Sequence, residues 1–113
     1  MTVVQRVPNM IGAGHAFAVT VEFKLKPGAT ARFRKLVLEN AATSMNDEPN
    51  CRRFDVLVLA GQTDDDSFLL YEIYDDRAAF DAHLGSRHFR AFDEATRDLV
   101  LAKSVREFVL LDT

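Results

Sequence analysis

The feature that most constrains this chain is a change of hydrophobic period across a Pro-Gly step. From Ala16 to Lys26, Phe17, Val19, Val21, Phe23 and Leu25 alternate with Thr20, Glu22, Lys24 and Lys26, the period of two that marks a half-buried strand. Pro27 and Gly28 end it. Phe33, Leu36, Val37, Ala41 and Met45 then recur at helical spacing, with Thr30 as the expected N-cap and Asn46, Asp47, Pro49 and Asn50 as the stop. Further on, Arg53 to Leu59 and Phe68 to Tyr74 read as two strands of a hairpin across the polar turn Gly61 to Asp66. Asp75 or Asp76 can cap a short helix carrying Ala78, Ala79, Phe80 and His83 that breaks at Gly85. Ser86 caps the next helical stretch, where Phe89, Phe92, Ala95, Thr96, Leu99 and Val100 share a face, and a last strand is expected from Ser104 to Leu111.

The order βαββααβ predicts an α+β, ferredoxin-like antiparallel sheet with its helices on one face, occupying residues 16–113. Residues 1–15 read as a mobile arm or an extension that packs on a partner subunit. The strands stay apolar on both sides. Phe68, Leu70 and Tyr74 oppose Leu69, Tyr71 and Ile73, while Phe54, Val56 and Val58 oppose Leu57 and Leu59. Helices cover one face, so the other calls for a second cover, and a homodimer packed sheet to sheet is expected.

Composition narrows the function classes. With 113 residues the chain has room for one core. Lys plus Arg number 14 against 17 Asp plus Glu, a net charge of -3, which leaves no basic surface to neutralise a row of phosphates, so nucleic acid is not an expected partner. No run nears the roughly 20 apolar residues of a membrane span, and the N-terminus lacks the basic and apolar regions of a signal peptide. The single cysteine, Cys51, has no partner for an internal disulfide and no Cys/His ligand spacing around it. A cytoplasmic protein is the expectation.

Polar residues at positions where the period calls for apolar ones are the candidates for chemistry. Asn40 and Ser44 continue the face of Phe33, Leu36, Val37 and Ala41, so both look inward, either bonded to backbone near the helix end or presented to a ligand. Glu72 shares a strand face with Phe68, Leu70 and Tyr74. Desolvation there should raise its pKa toward that of a general base, unless Arg53 or Arg106 pairs with it. His83 and His88 flank the Gly85-Ser86 break, where both can face a cavity mouth or serve as surface and capping groups. Their spacing is not the i, i+4 pair of a zinc helix and no Cys or third ligand completes a set, so no metal is expected. No nucleotide-binding glycine motif occurs. The nine Phe residues are read mostly as core, with a few free to wall a pocket for a flat ligand.

Asn40 late in the first helix, Cys51-Arg52-Arg53-Phe54-Asp55 opening the second strand, Tyr71-Glu72-Ile73-Tyr74, and then Ala78, His83, Ser86, His88 and Phe89 together resemble the antibiotic biosynthesis monooxygenase family over residues 16 to 111. The resemblance implies a dimeric α+β barrel of ferredoxin-like subunits and chemistry without bound flavin, haem or metal. Its nearest branches are the small quinol monooxygenases and the isomerase of phosphorylated autoinducer-2; the haem-degrading branch uses a Trp, and this chain has none. It further implies Glu72, His83 and His88 as proton-transfer groups. Asn40, Ser44, Phe54, Tyr74 and Arg87 would be the substrate-binding set, Arg87 or Arg90 suiting a phosphorylated substrate and the aromatic rings a flat quinol. The expected function is cofactor-independent oxygenation of a quinol or polyphenol-like molecule by dioxygen. Isomerisation of a phosphorylated ketose and non-catalytic binding of a small metabolite are the alternatives.

Overall fold

The computed structural model describes residues 15–61 and 66–111. Strand β1 (Phe17–Leu25) leads into helix α1 (Thr30–Asp47), followed by β2 (Cys51–Leu57), β3 (Ser67–Tyr74), α2 (Arg77–Leu84), α3 (Arg87–Thr96), a single 3-10 turn and β4 (Val100–Val109). The strands form one antiparallel sheet in the order β2-β3-β1-β4, the ferredoxin-like arrangement. The expected N-terminal arm falls on residues 1–15, of which 1–14 lie outside the described residues, as does the centre of the β2–β3 turn at residues 62–65.

The alternation in β1 does what its period requires. Phe17, Val19, Val21, Phe23 and Leu25 are all buried, while Glu22 and Lys24 are exposed. Register carries this face across the sheet, pairing Val19 with Glu72, Val21 with Leu70 and Phe23 with Phe68. The helices cover that face. Phe33 of α1 is fully buried and sits 4.9 Å from the Phe23 ring, 5.0 Å from Phe68 and 5.8 Å from Phe92 of α3, measured between centroids. These tilted contacts between large apolar rings join the sheet to α1 and α3 at the centre of the core.

Several local expectations change. Helix α1 begins at Thr30 itself, with Ala29 as the capping residue and no side-chain cap. The Thr30 hydroxyl donates instead to Asp66 Oδ1 at 3.0 Å, tying the helix start to the end of the β2–β3 connection. Met45, placed on the inward stripe by sequence, is 44% exposed, because it lies to one side of the Ala41–Ser44 line. Strand β2 starts two residues early and ends two residues early, and its pairing shifts between Cys51 and Arg53, leaving Arg52 as an extra residue. The bulge lets both Cys51 and Phe54 point into the core although an odd number of steps separates them. The last strand starts at Val100 rather than Ser104, and Leu99 belongs to the 3-10 turn that precedes it.

The two helix starts after β3 follow the sequence. Asp76 accepts from the Ala79 amide at 2.9 Å, and the Ser86 hydroxyl accepts from the Phe89 amide at 3.2 Å. Between them the Gly85 amide donates back to Asp81 and Ala82, closing α2 before α3 begins. On the outer face of the sheet Leu69, Tyr71 and Ile73 stay half-buried and Leu57 is exposed. The apolar second face read from the sequence is therefore real in the single chain.

Candidate functional site

The inward row of β3 ends in Glu72 and Tyr74, and α1, α2 and α3 close over it. A small cavity of about 40 Å³ is left between sheet and helices, lined by Asn40, Phe54, Glu72, Phe80, His83 and Phe89 among others. Lys103 of β4 also reaches its wall, with its ammonium over the rings of Phe23 and Phe89 at 5.6 and 5.7 Å. The result is an aromatic chamber holding one carboxyl, one imidazole, one amide and one ammonium.

Glu72 is 3% exposed. Burial is the main reason its pKa rises from 4.5 to about 7; Glu48 pushes it the same way, while the hydrogen bond from Tyr74 and the charge of Lys103 pull it down. The Tyr74 hydroxyl donates to Oε1 at 2.6 Å. Burial and the neighbouring Glu72 carboxyl push the Tyr74 phenol far above its ordinary range, so it stays a donor. Neither arginine considered as an ion-pair partner shares this face. Arg53 pairs with Ile73 in the ladder and binds Asp55 at 2.5 Å, and Arg106 pairs with Thr20 and lies over the Phe108 ring. Glu72 is thus held by a phenol, not by a guanidinium.

His83 is buried among Phe54, Tyr74, Phe80 and Phe89, with ring centroids 5.1 to 6.4 Å away. Desolvation lowers its pKa, against the opposing pull of Glu48, so the imidazole is neutral at pH 7. Its Nδ1 lies 2.7 Å from Glu48 Oε2. A carboxylate at Nδ1 fixes the proton there and leaves Nε2 as the nitrogen with a free lone pair. His88 Nε2 meets the same Glu48 oxygen at 2.5 Å. Glu48 is the residue that sequence reasoning missed. It caps the end of α1, 35 residues before His83, and its only local signal was its place in the Asn46–Asn50 helix stop.

The remaining candidates divide. Asn40 lines the cavity, and its buried Oδ1 has no partner among the described residues. Ser44, one turn further along α1, is fully buried behind the lining, and its hydroxyl likewise has no partner there. Phe54 forms part of the wall, whereas Tyr74 acts on Glu72 from behind it. Arg87 is exposed at the start of α3 and does not line the cavity. Cys51 is buried, bonded weakly to the Arg53 carbonyl and Met45 sulfur, and burial pushes its thiol up to about 12, so it is no nucleophile.

Residues 16–95 match the model of the antibiotic biosynthesis monooxygenase family. The chain belongs to that family. It is 27% identical to the solved structure of Rv0793 from Mycobacterium tuberculosis, with a TM-score of 0.77 over 87% of this chain and 97% of that one. A Nitrosomonas europaea structure, provisionally named an antibiotic biosynthesis monooxygenase, shares 25% identity at a TM-score of 0.80 over 87% and 92% of the two chains. The uncharacterized protein sll1783 of Synechocystis sp. (strain ATCC 27184 / PCC 6803 / Kazusa) is 30% identical over 89 residues, and the match spans 58% of its length. A monooxygenase-like function fits this family membership. No helix among the described residues is long and apolar enough to cross a membrane.

Proposed function

We propose that the protein is a monooxygenase that needs no resident cofactor and acts on a small, flat hydroxylated aromatic molecule, a quinol or polyphenol, as a homodimer joined through the outer sheet face. One observation carries the reading: a buried carboxyl whose pKa stands at about 7 lines an aromatic chamber beside a neutral histidine. The base, Glu72 or His83 Nε2, removes a phenolic proton. The electron-rich anion then reduces dioxygen; one oxygen atom enters the ring carbon and the other leaves as water, so a quinol and dioxygen yield a hydroxyquinone and water. The cavity, about 40 Å³, must widen to admit a ring, and its aromatic walls would then favour this step by keeping water from the reacting anion. The Asn40 amide, which lines the cavity, would hold a substrate oxygen.

The test is oxygen uptake by dialysed protein with a panel of hydroquinones and naphthoquinols. Uptake above the autoxidation blank should fall at least about 100-fold in Glu72→Gln, the loss typical of a general base. Uptake equal to the blank would turn attention to proton transfer on a phosphorylated ketose. Lys103 is the cation at the cavity for such a substrate, since Arg87 points elsewhere.

A further inference from the structure

Glu48, His83 and His88 come from three separate stretches of chain: the end of α1, the last turn of α2 and the first turn of α3. Both imidazole nitrogens, His83 Nδ1 and His88 Nε2, converge on the same carboxylate oxygen, Oε2, at 2.7 and 2.5 Å. All three ligand atoms lie within 4.8 Å of one another. His83 is buried, while the side chains of His88 and Glu48 are only 19% and 16% exposed. We propose that this trio is a binding site for a divalent first-row transition ion of the zinc class.

Two imidazoles and a carboxylate are ligands that suit such ions, with metal to ligand bonds of about 2.0 to 2.2 Å. In the apo arrangement two N–H protons occupy the space between the rings and Glu48. An ion placed there would replace them, each ring shifting its proton to its other nitrogen. Its double charge would offset the carboxylate, leaving one net positive charge for a bound hydroxide to balance. Bonds of about 2.1 Å at a tetrahedral angle hold ligand atoms about 3.4 Å apart, so Oε2 must draw back from both nitrogens, which now lie 2.7 and 2.5 Å from it, to admit the ion. His88 is the member free to move: it stands two residues after the Ser86 N-cap and is partly open to solvent. The Ser86 hydroxyl, 3.3 Å from His88 Nε2, donates to the His83 carbonyl at 2.7 Å and caps α3, so it holds the corner between the two histidines rather than serving as a ligand.

Occupation has a consequence that rests on the function proposed above. An ion on His83 Nδ1 would force the proton onto Nε2 and remove the lone pair from the cavity, so the loaded protein would lose that base.

Equilibrium dialysis of the chelator-treated protein against Zn²⁺, with Co²⁺ as an optical probe, tests the site without using turnover. One ion per chain is expected, with Co²⁺ developing the intense visible absorption of a low-coordinate nitrogen-ligated ion. Affinity should drop roughly 100-fold or more in Glu48→Gln and in His88→Gln, and remain in His15→Gln. His88→Gln keeps a donor for Glu48, and its far-ultraviolet spectrum and melting curve establish that it is folded. No stoichiometric binding, or binding that survives both substitutions, would overturn the proposal. Binding without oxygenase activity would leave the metal site standing and refute only the function.

Discussion

The Tyr74 hydroxyl and Glu72 Oε1 lie 2.6 Å apart, two residues from each other on the inward row of β3. A period of two places the pair side by side, and the phenol is the hydrogen bond that tempers the cost of burying the carboxyl. Removing it in Tyr74→Phe should raise the Glu72 pKa above 7 and move the alkaline rise of the pH–rate curve upward. The loss in stability should be about 1 to 2 kcal/mol, read from thermal melts.

Glu72 also links stability to pH. Its ordinary value of 4.5 applies to the unfolded chain and about 7 to the folded one. Between these values the native state keeps a proton the unfolded state has lost. The contribution of Glu72 is therefore full below pH 4.5 and is lost as pH rises through 7, by an amount on the order of 3 kcal/mol. His83 acts oppositely: its folded pKa is depressed, so stability is lost as pH falls below about 6.5. Denaturant titrations of Glu72→Gln should lack the first decline and keep the second. An unchanged decline would mean that Glu72 is not the titrating group.

Asn40 and Ser44 should separate on substitution. Ser44→Ala removes a buried hydroxyl that has no partner among the described residues, so stability should hold or improve by up to about 1 kcal/mol. Asn40→Ala enlarges the cavity and strips its amide, and KM for an oxygenated substrate should rise roughly tenfold while the fold survives.

The outer sheet face predicts assembly. A groove of about 560 Å³ crosses it, lined in part by Leu57, Val58, Leu59 and Leu69. Sedimentation equilibrium at micromolar concentration should give twice the 12.7 kDa chain mass, and Leu57→Lys with Leu69→Lys should return it to one. A monomeric wild-type protein would remove the barrel.

Phe33 is the keystone of the ring cluster, in contact with Phe23, Phe68 and Phe92. Truncation in Phe33→Ala should cost about 3 to 5 kcal/mol in chemical denaturation, the range for emptying a packed aromatic site.

What the sequence determined by itself was whatever depends on local period and local caps. Alternation put Phe17 to Leu25 inward, the helical face carried Asn40 and Ser44 into the interior, and Asp76 and Ser86 started their helices because each side chain reaches an amide three residues on. The same reasoning isolated Glu72 as a carboxyl in an apolar row. Tertiary structure decided the rest, because partner choice depends on distance in space. The bulge at Arg52 depends on how β2 meets β3, and no residue in β2 announces it. Glu72 faced Tyr74 instead of an arginine because the register sends Arg53 and Arg106 to the other side of the sheet. Glu48 joined His83 and His88 only when the end of α1 packed beside the α2–α3 corner, across 35 and 40 residues of chain. A helix-end glutamate carries no mark of that meeting, since its chemistry is set by the groups that folding brings to it.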